Sequence, residues 1–208
     1  MDALLLVDIQ NDFLPDGALA VKEGDQIIPV VNELQPYFEL VVATQDFHPA
    51  DHGSFAANHS GKKPGEYIIL EGLEQILWPV HCVQGTAGAE FAKTLKMNQV
   101  ATVVKKGLDK NIDSYSGFYD NGHKRSTGLT RYLKDKGVHR VFVTGLAADY
   151  CVKFTALDAL KEGFKTVVVQ DATRAVNLEE GDFEKAMDEL REKGAKVMQS
   201  KEVVKMKS

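Results

Sequence analysis

Ala3-Leu4-Leu5-Leu6-Val7-Asp8 opens the chain with five apolar residues in a row and then a carboxylate. A strand with one wet face alternates apolar and polar side chains, so an unbroken run predicts a strand buried on both faces, the habit of a parallel sheet between helix layers. Similar runs recur at Leu40 to Thr44, Val100 to Val104, Arg140 to Thr144 and Thr166 to Gln170, with a weaker one at Ala195 to Met198. Between them lie segments of helical spacing with a polar face, Gln26 to Phe38, Thr127 to Lys136, Tyr150 to Glu162 and Glu179 to Lys193. Gly137, Gly163 and Gly194 fall where helix C-termini should close. The alternation predicts an α/β fold: a three-layer α/β/α sandwich on a mostly parallel, doubly wound sheet, formed by residues 1–208 as one domain.

Composition narrows the function. The 208 residues carry 25 Lys and Arg against 30 Asp and Glu, a formal charge of −5, which lacks the basic footprint of a nucleic-acid binder. No apolar stretch approaches the roughly 20 residues that cross a bilayer. The first residues show neither a basic leader nor a cleavage site, so a cytoplasmic protein with no membrane partner is expected. Two cysteines, Cys82 and Cys151, do not make a disulfide framework in a reducing compartment; each is either reactive or simply buried. Two stretches, Phe47 to Val80 and Gly107 to Arg125, are too long for ordinary connections and rich in Gly, His, Asp, Asn and aromatics, as functional loops are. The tail Lys201 to Ser208 reads as a frayed basic end. No GxGxxG, GxxxxGK[ST] or GxSxG occurs, so nucleotide-phosphate cradles and a serine elbow receive no support. Nothing fixes the oligomeric state, and a homo-oligomer is compatible with the sequence.

Ligands of open α/β sheets bind at the carboxyl ends of the strands. Asp8 ends the first strand, Asp46 and Lys106 follow the second and third, and Cys151 comes at the start of the helix after the fourth. In a first helical turn the macrodipole, with the Lys106 ammonium nearby, favours a Cys151 thiolate; the alternative is a small buried hydrophobe. Asp8 is placed to act as general base, or to form a turn ahead of Asn11-Asp12; Lys106 competes with its neighbour Lys105. Asp46-Phe47-His48 puts a carboxylate and an imidazole on the same side of an extended backbone. His81 in Trp78-Pro79-Val80-His81-Cys82 would complete an Asp/His/His metal set with open positions, while His52, Ser54 and His59 are secondary candidates, directly or through water. Cys82 is the more structural of the two thiols. Phe13, Trp78, Tyr115, Phe118 and Tyr119 are candidates to wall a flat ring, or are ordinary packing.

These residues resemble the isochorismatase-like cysteine hydrolases, and within them the nicotinamidase group. The resemblance is carried, in order along nearly the whole chain, by Leu6-Val7-Asp8-Ile9-Gln10-Asn11-Asp12-Phe13, Thr44-Gln45-Asp46-Phe47-His48-Pro49, Trp78-Pro79-Val80-His81-Cys82, Lys106-Gly107 and Gly145-Leu146-Ala147-Ala148-Asp149-Tyr150-Cys151-Val152. It implies a Cys151, Asp8, Lys106 triad and one divalent metal on Asp46, His48 and His81, with zinc first and manganese or iron as alternatives. A cis peptide between Leu146 and Ala147 follows too, with backbone N–H groups of Ala147 and Cys151 turned to the oxyanion. So does a pyridine ring between Phe13, Trp78 and Tyr115. The implied reaction is hydrolysis of nicotinamide to nicotinate and ammonia through a thioester, with pyrazinamide as a second substrate, in NAD salvage. The chain departs from the pattern at Ala148, where threonine is common. A rival amidase on carbamoyl or ureido compounds, or a metal-binding protein that kept the scaffold without the chemistry, are the other readings.

Overall fold

The computed structural model describes residues 1–208. Its centre is a six-stranded parallel sheet in the order β5-β2-β1-β6-β7-β8, formed by β1 (Asp2–Val7), β2 (Leu40–Asp46), β5 (Val100–Lys106), β6 (Arg140–Leu146), β7 (Lys165–Arg174) and β8 (Lys196–Met198). All six residues of β1 are buried, as the apolar run requires, and successive side chains go to opposite faces. Leu4 and Leu6 join one core with α1 (Ile27–Leu34) and α5 (Ser200–Lys207). Ala3, Leu5 and Val7 join the other, with α2 (Leu129–Asp135), α3 (Lys153–Lys161) and α4 (Asp182–Glu192). No helix is long and apolar enough to cross a membrane.

The chain winds from β1 through β2 to β5 in one direction and from β6 to β8 in the other, so the topological switch lies between β1 and β6. Their register pairs Val7 with Gly145, whose φ is +111° and where a Cβ would run into the Val7 backbone. Only glycine lets the two strands close there.

The run Val100 to Val104, expected to be buried on both faces, is the edge strand and alternates between half-buried and exposed residues, and three further segments differ from the sequence expectation. The helix expected over Gln26 to Phe38 ends at Leu34 and tightens into a 3₁₀ turn, Gln35–Tyr37, because Pro36 has no N–H to continue the ladder. The stretch Phe47 to Val80 contains a separate antiparallel hairpin, β3 (Tyr67–Leu70) and β4 (Leu73–Ile76). The tail does not fray: α5 carries a capping box between Gln199 and Glu202 and buries Val203.

Asp2 pins this tail. Its carboxylate accepts from Arg140 Nε at 3.0 Å, from Arg140 Nη2 and from Lys207 Nζ at 2.8 Å, joining β1, β6 and α5. Burial pushes the Asp2 pKa up from 3.8, but the two cations outweigh it and bring it down to about 2. A pKa depressed by folding adds stability that is complete above the unfolded value and lost as pH falls through the folded one. Discounted for the solvent around Arg140 and Lys207, the contribution is about 1 kcal/mol. Asp2→Asn should therefore lower Tm by about 2–4 °C at pH 7, and by progressively less as pH falls below 3.8 toward 2. Thermal unfolding of both proteins across that range checks it; a gap independent of pH would refute the ion-pair origin.

Candidate active site

Four strand ends meet at the switch point. Asp8 directly follows β1 with φ +48°, Asp46 and Lys106 are the last residues of β2 and β5, and Cys151 lies in the wide helical turn Ala148–Val152 after β6. Lys106 Nζ is the hub: it lies 2.9 Å from Asp8 Oδ2, 2.8 Å from Asp46 Oδ1, 2.6 Å from the Ser114 carbonyl and 3.5 Å from Cys151 Sγ. The Lys106 and Asp8 side chains are fully buried. Thr44 Oγ1 donates to Asp8 Oδ1 at 2.7 Å, which fixes the rotation of that carboxylate. Lys105, the competing lysine, points outward and sits 3.8 Å from the centre of the Phe47 ring.

Burial pushes the Asp8 pKa up, against the pull of Lys106 and Thr44. Burial acts the same way on Asp46, but Lys106 and His48 overcome it and hold that carboxyl well below the usual range. Lys106, despite burial, is pushed well up by the two carboxylates. The Cys151 thiol is pushed well above its ordinary value, first by burial, with Lys106 opposing and Asp8 and Asp46 adding to the rise. These directions run against the expected resting thiolate. The Lys106 charge is already matched by two carboxylates, which favours a thiol over a thiolate, and an Asp8 carboxylate oxygen lies within 4.8 Å of the sulfur.

Asp46, His48 and His81 offer one ligand atom each within 4.8 Å of one another. Asp46 Oδ2 lies 3.3 Å from His48 Nε2 and 3.7 Å from His81 Nε2. Each imidazole is oriented from behind: His48 Nδ1 donates to the Gly107 carbonyl at 3.0 Å and His81 Nδ1 to the Pro79 carbonyl at 2.8 Å, leaving both Nε2 atoms as free acceptors. His48 Nε2 is buried without a hydrogen-bond partner. Burial lowers the His48 pKa, but Asp46 raises it further. Two oriented imidazoles, one carboxylate and an orphaned buried nitrogen are what a borderline divalent cation such as zinc requires. Gly107 is needed behind His48, because a Cβ there would enter the imidazole ring.

His52 and Ser54 are buried beside this set but face each other: the Ser54 N–H donates to His52 Nδ1 at 3.1 Å, and Ser54 Oγ lies 2.7 Å from the same nitrogen. His52 Nε2 is buried without a hydrogen-bond partner, and His52, His48 and Asp113 each offer a ligand atom within 4.8 Å of one another. His59 bonds the Gly53 carbonyl and is not brought to the site. Cys82 is buried, its N–H donating to Asp12 Oδ2 at 2.7 Å and its thiol pushed up by burial, in keeping with a structural residue.

Above Cys151, Phe13, Trp78 and Tyr115 line a pocket with about 350 Å³ of free space, mouth included. Asp46, His81 and Ala147 are at its wall, and the peptide bond between Leu146 and Ala147 is cis. Leu19, Asp113, Tyr150 and Val176 also line it and were not singled out in the sequence. The signal for Val176 is the crevice rule applied to β7, and Asp149 fixes that loop by accepting the Val176 and Asn177 N–H groups at 2.9 Å. Phe118 and Tyr119 do not wall the ring site. Phe118 is fully buried against Phe164, and Tyr119 donates to Glu162 and stacks on His123.

An isochorismatase domain matches residues 2–202. The chain is 48% identical to a nicotinamidase of Escherichia coli (strain K12), covering 93% of this chain and 92% of that protein. Among solved structures it superposes on an Acinetobacter baumanii nicotinamidase pyrazinamidase with a TM-score of 0.94 at 48% identity, over 97% of both chains. On a pyrazinamidase of Pyrococcus horikoshii in complex with zinc the TM-score is 0.78 at 39% identity, over 95% and 98% of the two chains.

Proposed function

The chain belongs to the isochorismatase family, and from that premise we propose that it is a nicotinamidase, hydrolysing nicotinamide to nicotinate and ammonia and accepting pyrazinamide, in cytoplasmic NAD salvage. The whole chain acts as one hydrolase domain. The observation that carries the reading is a buried Lys106 held between Asp8 and Asp46 with the Cys151 sulfur 3.5 Å away, at the foot of an aromatic pocket.

Asp8 takes the Cys151 proton as the sulfur attacks the carboxamide carbon, so the nucleophile forms only when substrate is present. Lys106 keeps Asp8 anionic enough to accept that proton and stabilises the negative charge left on the sulfur side of the reaction. Backbone N–H groups of Ala147 and Cys151 receive the carbonyl oxygen as it becomes an oxyanion. Asp8 then returns its proton to the departing nitrogen; the C–N bond breaks and ammonia leaves a thioester on Cys151. Water attacks that thioester, giving Asp8 a proton, the C–S bond breaks as Asp8 reprotonates the sulfur, and the nicotinic acid formed loses its proton to the released ammonia or solvent and departs as nicotinate. Asp46, His48 and His81 would hold a zinc ion, which when bound would supply a fixed positive charge and Lewis acidity beside the pyridine ring.

Ammonia release from nicotinamide, pyrazinamide and an N-carbamoyl amino acid tests the reading; preference for the N-carbamoyl compound would overturn it. Elemental analysis of protein purified without added ions should find about one zinc per chain, and Asp46→Ala should lose it. A chelator should cut turnover at least about 100-fold, with recovery on adding zinc. Full turnover in metal-depleted protein would remove Asp46, His48 and His81 from the account.

A further inference from the structure

The β3–β4 hairpin stands apart from the main sheet, and of its eight strand residues only Gln75 and Ile76 are buried. Gln75 is 3% exposed. A carboxamide in such a place costs free energy unless its hydrogens are used, and an apolar side chain would fill the space without that cost. Gln75 Nε2 lies 2.7 Å from the Ile76 carbonyl, 3.0 Å from the Tyr115 hydroxyl and 3.2 Å from Asp113 Oδ2, three acceptors for two hydrogens. The Tyr115 oxygen also accepts from the Trp78 indole N–H at 3.2 Å. Gln75 does not line the pocket, yet Asp113, Tyr115 and Trp78 all do.

We propose that Gln75 is a positioning residue that sets the Trp78–Tyr115 wall and, through it, the width of ring the pocket admits. The inference rests on the reading of this pocket as the nicotinamide site. Trp78, Tyr115 and Tyr150 pack edge to face, with centroids 4.8 Å apart for Trp78 and Tyr150 and 5.4 Å for Tyr115 and Tyr150. The hydroxyl shared by Gln75 and Trp78 adds a directional, hydrogen-bonded constraint to this edge-to-face packing. The constraint originates on the hairpin, about 40 residues from Tyr115 in sequence.

The test is kinetic and spectroscopic. Gln75→Leu and the similarly long Gln75→Met should each raise KM for nicotinamide about tenfold, the size of one well-placed hydrogen bond, with kcat within about twofold. The preference for nicotinamide over 5-methylnicotinamide should fall by about the same factor as the wall loosens. In a Tyr115→Phe background, where the shared acceptor is gone, Gln75→Leu should add less than about twofold. Trp78 is the only tryptophan, so its emission reads the wall without any turnover, and the same background should silence the shift that Gln75→Leu causes. An unchanged KM, equal losses on both substrates, or multiplying effects in the double variant would overturn the proposal. Should neither Gln75 variant fold, Tyr115→Phe alone must raise KM and blunt the discrimination, and its failure to do so would overturn it equally. A wild-type protein inert toward nicotinamide, with the emission cycle intact, would instead sink the functional reading and leave the positioning role standing.

Discussion

Cys151→Ala should abolish ammonia release from nicotinamide, with kcat falling by at least about 10⁴-fold, as removal of a covalent nucleophile does. The fold should survive, because Cys151 lies in an apolar cluster with Val152 and Ala156 and the change removes one sulfur atom without leaving a buried charge. Metal content should also survive, since none of Asp46, His48 and His81 bonds through that sulfur. The protonation state makes a second outcome available. Burial raises the Cys151 pKa well above its ordinary value, which favours a thiol in the substrate-free enzyme. Iodoacetamide should accordingly modify substrate-free protein slowly, and faster as pH rises. Rapid, pH-independent alkylation would restore the resting thiolate; ammonia release by the pure alanine variant would remove Cys151 from the chemistry.

That protonation state was not legible in the sequence, although the position was. An unbroken apolar run ending in Asp8, with its counterparts ending near Asp46 and Lys106, reads directly as parallel strands whose ends share one edge. What a thiol does there depends on how many opposite charges Lys106 already faces, which only the folded arrangement fixes. The hairpin has a plain local signal in the sequence: Tyr67-Ile68-Ile69-Leu70 leads into Glu71-Gly72, two residues with positive φ that make a tight turn. The tail shows the opposite case. Its lysines look like a frayed end until Lys207 finds Asp2, a partner at the other terminus. Among the aromatics, Tyr115 faces the pocket while Phe118 and Tyr119 turn away, because an irregular loop has no period from which to assign sides.

Asp8→Asn separates the general base from the scaffold. The substitution keeps the shape, and the Asn carbonyl still accepts the Thr44 hydroxyl at the Oδ1 position. The amide nitrogen then meets the Lys106 ammonium, donor against donor, where a carboxylate stood 2.9 Å away. Lys106 keeps Asp46 and the Ser114 carbonyl as partners, so it is not left as an unpaired buried charge and the loss of stability should stay near 1–3 kcal/mol. Catalysis should suffer far more. Lys106, the group hydrogen-bonded to the sulfur, is a donor, and Asp46 is held ionised well below the usual carboxylate range, so the thiol proton loses its acceptor and kcat should fall about 10³–10⁴-fold, while nicotinate still quenches or shifts Trp78 emission at wild-type affinity. Because base and nucleophile act as one unit, Asp8→Asn in the Cys151→Ala background should cost almost nothing further. An asparagine variant that turns over within tenfold of wild type would mean that the thiol proton leaves by another path. One that loses zinc as well as activity would mean that Asp8 serves the neighbouring Asp46 rather than the sulfur.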